Sequence, residues 1–192
     1  MLKVITGSVK GKNLKSLEGD ATRPTSERIK EAMFSSIQFD IEGRRVLDVY
    51  AGSGQLGIEA LSRGAESCTF IDSSREAMEI IKTNVKLCGF DSVCKYLVSD
   101  ARNYIRKASG RSVFDLVFID PPYKDASCTE TLVRLASGGM LADGAIAVLE
   151  SGEEAIDLTR LSDFEVSKSK SYGKKTTLTI LFYRKPKMEE NA

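Results

Sequence analysis

The chain has 192 residues, 42% of them apolar, enough for one α/β domain with a good core and only a short appendage. It contains no histidine, which excludes Ser-His and Cys-His catalytic arrangements and removes the commonest metal ligand, so no metal site is expected. The net charge of +1 hides an uneven distribution: residues 1–30 and residues 165–192 each carry seven Lys/Arg against three Asp/Glu, leaving 14 against 21 between them.

In chain order, residues 1–20 read as an N-terminal extension, a hairpin turning at Val9-Lys10-Gly11-Lys12. A helix is predicted over 26–38, entered through Arg23-Pro24, with Thr25 as N-cap and Ile29, Met33 and Ile37 on one face. Its N-terminus could receive a cofactor carboxylate or an RNA phosphate. Strand-like runs at 45–47, 68–71, 96–98 and 113–119 then end in Asp48, Asp72, Asp100 and Asp120. Helical periodicity over 56–63, 74–87 and 101–107 separates them. The aspartates recur at intervals of 24, 28 and 20 residues, the spacing of βαβ crossovers in a parallel sheet. Right-handed crossovers place all four on one rim of that sheet, where open α/β folds bind ligands. A helix over 129–136, a strand over 145–150 and an antiparallel pair over 164–169 and 176–183 complete the fold. The fold class expected is α/β and Rossmann-like, with a mostly parallel sheet ending in an antiparallel pair. Residues 21–185 form its main domain and 186–192 a polar tail.

Two motifs on the rim carry chemistry. The first strand leads into Asp48-Val49-Tyr50-Ala51-Gly52-Ser53-Gly54-Gln55-Leu56-Gly57, which contains G-x-G-x-x-G, so a dinucleotide site must be weighed first. An acid at Asp48 would oppose a pyrophosphate, whereas the sulfonium and ammonium of S-adenosylmethionine favour acidic neighbours. Asp72 can accept both ribose hydroxyls, and Asp100 can accept from the adenine amine. The cofactor expected is therefore S-adenosylmethionine, held by Asp48, Tyr50, Ala51, Gly52, Ser53, Gly54, Asp72, Ser73, Asp100 and Ala101. The second motif, Asp120-Pro121-Pro122-Tyr123, stops a buried strand dead, because proline cannot continue the ladder. The Asp120 carboxylate and the Pro121 carbonyl can accept from an exocyclic amine while Tyr123 stacks on the base. Taken alone, the tetrapeptide is equally well a turn that caps a strand.

The glycine loop followed by Asp-Pro-Pro-Tyr resembles class I methyltransferases that act on exocyclic amines. Three further segments narrow the resemblance: Ile5-Thr6-Gly7-Ser8-Val9-Lys10-Gly11-Lys12-Asn13-Leu14, Arg23-Pro24-Thr25-Ser26-Glu27-Arg28-Ile29-Lys30-Glu31, and the loop extended through Ile58-Glu59-Ala60-Leu61-Ser62-Arg63-Gly64. Together they resemble the bacterial family that methylates guanine N2 in small-subunit (16S) ribosomal RNA, with Ser8, Lys12 and Tyr50 departing from its usual pattern. The resemblance implies direct methyl transfer, with Asp120, Pro121, Pro122 and Tyr123 at the reacting amine. It also implies that Lys10, Lys12, Arg23, Pro24, Thr25 and Tyr123 meet the RNA. The partner implied is ribosomal RNA or a small-subunit particle, met by a monomer. Adenine N6, a protein glutamine amide, or a non-catalytic role in ribosome assembly stay open as alternatives.

Cys68, Cys88, Cys94 and Cys128 show no C-x-x-C spacing and read as buried free thiols in a reducing cytosol. No signal peptide is apparent and no run approaches membrane-spanning length, so a cytoplasmic protein is expected.

Overall fold

The computed structural model describes residues 2–17, 27–121, 128–152, 156–173 and 176–186. The predicted Thr25 cap, the Arg23-Pro24-Thr25 segment, Pro122, Tyr123 and residues 187–192 of the tail lie outside them.

Short runs of Val, Leu, Ile and Phe with no polar alternation are what strands covered on both faces require. They form β3 (Arg45–Val49), β4 (Ser67–Asp72) and β6 (Phe114–Ile119), whereas β5 (Cys94–Val98), at the sheet edge with Lys95 and Val98 exposed, is only partly covered. Before them come β1 (Leu2–Lys3), β2 (Asn13–Leu14) and α1 (Glu27–Ser36), and between them α2 (Gln55–Ser62), α3 (Arg75–Cys88) and α4 (Ala101–Ala108). The chain ends in α5 (Cys128–Ser137), β7 (Leu141–Ser151), β8 (Phe164–Tyr172) and β9 (Thr176–Tyr183). The large sheet has the order β5-β4-β3-β6-β7-β9-β8, parallel from β5 to β7, with β9 antiparallel to both neighbours. This is the expected class I methyltransferase architecture. β7 and β8 run several residues longer than their apolar patterns suggested, because cross-strand pairing carries polar residues into the ladder.

Side chains alternate between two cores. Phe34, Phe70, Phe118, Met78 and Ile81 pack α1, α2 and α3 on one face, with the Phe34 and Phe118 ring centroids 5.5 Å apart. Leu47, Val49, Ile71, Val117 and Ile119 meet Tyr104, Ile105, Leu132 and Leu135 of α4 and α5 on the other. Ile29, Met33 and Ile37 are buried as their spacing predicts. Cys68, Cys88 and Cys128 are buried free thiols, whereas Cys94, at the start of an edge strand, is only half-buried.

The extension forms the expected hairpin, β1 against β2, and docks on α2. The Ile5 and Thr6 amides donate to the Glu59 carboxylate at 2.7 and 3.0 Å, and the Ser62 hydroxyl donates to the Thr6 carbonyl at 2.6 Å. At Gly7, φ +93°, a Cβ would lie 1.8 Å from the Ser62 carbonyl oxygen, so only glycine lets the two backbones meet. Among the described residues no helix is long and apolar enough to cross a membrane.

Candidate active site

The first βα turn opens at Tyr50, the one non-glycine residue at positive φ (66°) among those described. A tyrosine in this region is held there by its surroundings. Its hydroxyl lies 3.1 Å from the Thr131 hydroxyl of α5, and half-burial raises its pKa. Beyond it the Ala51 amide donates to the Ile71 carbonyl and the Gly52 amide to the Asp72 carboxylate at 2.8 Å. Gly54, φ 77°, reverses the chain into α2, and a Cβ on Gly57 would come within 2.4 Å of the Phe70 ring. The loop is thus pinned to β4 from beneath, while no described residue other than its chain neighbours lies within 4 Å of where a Cβ on Gly52 would stand.

The strand order brings Asp72, Asp100 and Asp120 to one rim, as expected, but Asp48 does not share it: β3 runs on to Val49, and Asp48 lies inside the sheet between Phe70 and Phe118. Asp48 is 2% exposed, and its carboxylate accepts from the Gly57 amide at 2.9 Å. Burial pushes its pKa up to about 8, against the lowering effect of that hydrogen bond. It therefore braces the start of α2 from inside the core. Asp72, half-buried, is held by the amides of Gly52 and Ser74, both at 2.8 Å, which use two of the four or so acceptor sites of a carboxylate. Asp100 caps α4 with one oxygen, accepting from the Arg102 and Asn103 amides. Ser73 is exposed beside Asp72, and Ala101 is buried at the first turn of α4. Val49 is in register with Ile119, so Tyr50 and Asp120 leave adjacent strands at the same level. Asp120 and Pro121 are half-buried there.

Two groups near the loop escaped the sequence reading. Asn84 of α3 is fully buried; its amide donates to the carbonyls of Ser53 and Lys15 at 2.9 Å and accepts from the Lys15 amide at 2.8 Å. One side chain thereby ties the glycine loop to the N-terminal extension. The signal was its place three residues after Ile81 on the apolar stripe of α3, where a polar residue must find buried partners. Gln55, first in α2, is 8% exposed, and its side-chain oxygen has no partner among the described residues.

Lys10 and Lys12 are exposed but far from this rim. Their turn lies at the C-terminal end of α2, where the Ser8 amide meets the Ser62 carbonyl. Eight residues of helix, about 12 Å, separate that end from the glycine loop. Among the described residues no group of three or more His, Cys, Asp or Glu could hold a metal ion.

Comparison with known proteins agrees with this architecture. The Bacillus subtilis protein YlbH is 36% identical over 173 residues, covering 90% of this chain and 94% of its own. The Escherichia coli (strain K12) ribosomal RNA small subunit methyltransferase D is 32% identical over 154 residues, covering 80% and 76%. The solved structure of the Escherichia coli protein yhhF superposes with a TM-score of 0.86 at 28% identity, covering 96% of this chain and 98% of that one. A family model described as conserved hypothetical protein 95 matches residues 2–182, and the chain belongs to that family.

Proposed function

We propose that this protein transfers a methyl group from S-adenosylmethionine to the N2 amine of a guanine in small-subunit ribosomal RNA. The observation that carries the reading is that the glycine loop after β3 and Asp120-Pro121 after β6 leave adjacent strands at one level, which would stand a cofactor held by the loop beside an amine held by Asp120 and Pro121. The name shared by the ribosomal RNA small subunit methyltransferase D relatives supports RNA as the substrate. Guanine N2 follows from the motif resemblance.

The residues present fit the cofactor. Among the described residues the side of Gly52 is open, the buried Gln55 side-chain oxygen has no partner, and Asp72 keeps acceptor sites after its two backbone bonds. Tyr50, Ala51, Gly52, Ser53 and Gly54 would line its amino-acid part, Asp72 and Ser73 its ribose, and Asp100 and Ala101 its base; Asp48 supports the loop. S-adenosylmethionine supplies an electrophilic methyl group.

The protein's part is to place the acceptor. The Asp120 carboxylate and the Pro121 carbonyl accept the two amine hydrogens, turning the nitrogen lone pair out of conjugation with the base. The nitrogen's bond to the methyl carbon forms as the carbon–sulfur bond breaks, and the surplus amine proton then leaves to solvent; positioning supplies most of the rate, so Asp120 needs no proton-abstracting role. The target base leaves its stack to reach the site. Pro122 and Tyr123 complete the motif, and Arg23, Pro24 and Thr25 are assigned to the RNA on resemblance.

The test follows radiolabelled methyl from the cofactor and identifies the product by nucleoside mass spectrometry. Wild type should yield N2-methylguanosine in small-subunit RNA. Asp120→Ala should abolish transfer while S-adenosylhomocysteine still binds. Label in N6-methyladenosine or in a protein fraction would replace the substrate assignment, and no transfer to RNA or particles would leave a binding role.

A further inference from the structure

We propose that a cationic groove along the outer strand of the sheet is a second RNA-binding surface, holding phosphodiester backbone away from the reacting base. The proposal rests on the RNA-methylating reading above.

β5 is the edge of the sheet, and α4 packs over the same face without covering that edge. Between them runs a cavity of about 910 Å³. Leu97, Thr69 and Tyr104 line it between the strands and α4, and Lys95, Lys107 and Arg111 stand exposed along it. Its lining contains no Asp or Glu. A fourth cation, Arg45, is already neutralised by Asp115 through bonds of 2.7 and 2.9 Å. Lys95, Lys107 and Arg111 form no ion pair among the described residues. Three uncompensated cations in one channel repel each other, and a polyanion both relieves that repulsion and gains by releasing its counterions.

The chemistry selects backbone rather than bases. Tyr104 is 7% exposed, Phe114 is 5% exposed, and Tyr96 stacks on Phe70 while its hydroxyl donates to Asp91. No aromatic face in the lining is left for a base to stack on, so the groove offers charge and hydroxyls, which position a strand without reading it. Lysine is depleted at protein interfaces, which weighs against a protein occupant. The groove reaches from Ser99, next to Asp100 on the functional rim, to Arg45 at the opposite edge. Five residues of strand give it a length of about 17 Å. RNA bound at the active site could therefore continue down this side of the molecule.

The test is the triple variant Lys95→Glu, Lys107→Glu, Arg111→Glu, with Arg75→Glu, Lys82→Glu, Lys86→Glu on α3 as a control of equal charge. Melting temperature and S-adenosylhomocysteine affinity should match wild type for the groove variant, since its three residues are exposed and outside the cofactor loop. Its affinity for naked small-subunit RNA should fall at least tenfold, and the log–log salt slope should flatten by roughly 0.7 for each phosphate that the variant no longer binds. KM for RNA should rise with little change in kcat. Unchanged RNA affinity in a variant whose wild type binds RNA overturns the groove alone, and so does an equal weakening in the α3 control. A defect confined to assembled particles, with naked RNA bound normally, means a protein occupant and also overturns it. If wild type binds no RNA, groove and function reading fall together; if it binds RNA through the groove but transfers no methyl, only the function reading falls.

Discussion

Asp48 stands inside β3, level with Phe70, whereas Asp72 ends β4 two residues further along, and the depth of each in the sheet gives it different work. Asp48, sealed behind the glycine loop, has its pKa raised to about 8 from an ordinary value of 3.8. Between those values the folded protein holds a proton that the unfolded chain releases. Stability should be full below the lower value and decline as pH rises through the higher one, by up to about 1.4 kcal/mol per pH unit. Asp48→Asn keeps an acceptor for the Gly57 amide and removes the titration, so chemical denaturation between about pH 5 and 8 should show a flatter profile than wild type. Equal slopes would place the titration elsewhere. Asp72 faces the opposite demand, since it must stay accessible while ordering Gly52 and Ser74. Asp72→Ala should weaken S-adenosylmethionine binding on the order of 1.5–3 kcal/mol for each charge-assisted bond it removes. Calorimetry showing wild-type affinity in this variant would remove Asp72 from the cofactor site.

At the scale of elements, α2 is buried along its whole length because the extension and α1 cover the side that the sheet does not. Local pattern revealed the helix and its glycine entry, and the four strand-terminal aspartates gave the crossovers. The polar joint on the far side depended on residues distant in sequence and was not legible. There Glu59, fully buried, binds the Ile5 and Thr6 amides and Arg63 at 2.8 Å, with Lys30 3.8 Å away. Lys30 donates to the Lys3 carbonyl at 2.7 Å, and burial lowers its pKa. The one local clue was an acid set within the run Leu56-Gly57-Ile58-Glu59-Ala60-Leu61, which must be paired if the helix is buried. Removing one member of such a group strands the others. Glu59→Ala should cost about 3–5 kcal/mol in denaturant unfolding, and amide exchange should quicken at Ile5 and Thr6. A cost below about 1 kcal/mol, the worth of a surface pair, would mean that the extension docks without it.

Across the whole molecule, the rim was readable because parallel strands joined by right-handed crossovers leave their C-terminal ends little choice of place. Surface charge was less readable, since sequence position says nothing of distance. The resemblance implied that Lys10 and Lys12 meet the RNA together with Tyr123 of the rim motif, yet the two lysines lie at the opposite end of α2 from the glycine loop. Cations so placed would steady an RNA that spans the domain, without touching the chemistry. The combined Lys10→Ala, Lys12→Ala variant should therefore bind S-adenosylmethionine as wild type does and reach the same kcat at saturating RNA. Its KM for RNA should rise, and the salt slope of binding should flatten by about 0.7–0.9 for each phosphate left unneutralised. A fall in kcat with KM unchanged would place these lysines in the reacting geometry. An unchanged slope would assign them to solvent, because a cation that releases no counterion on binding touches no phosphate.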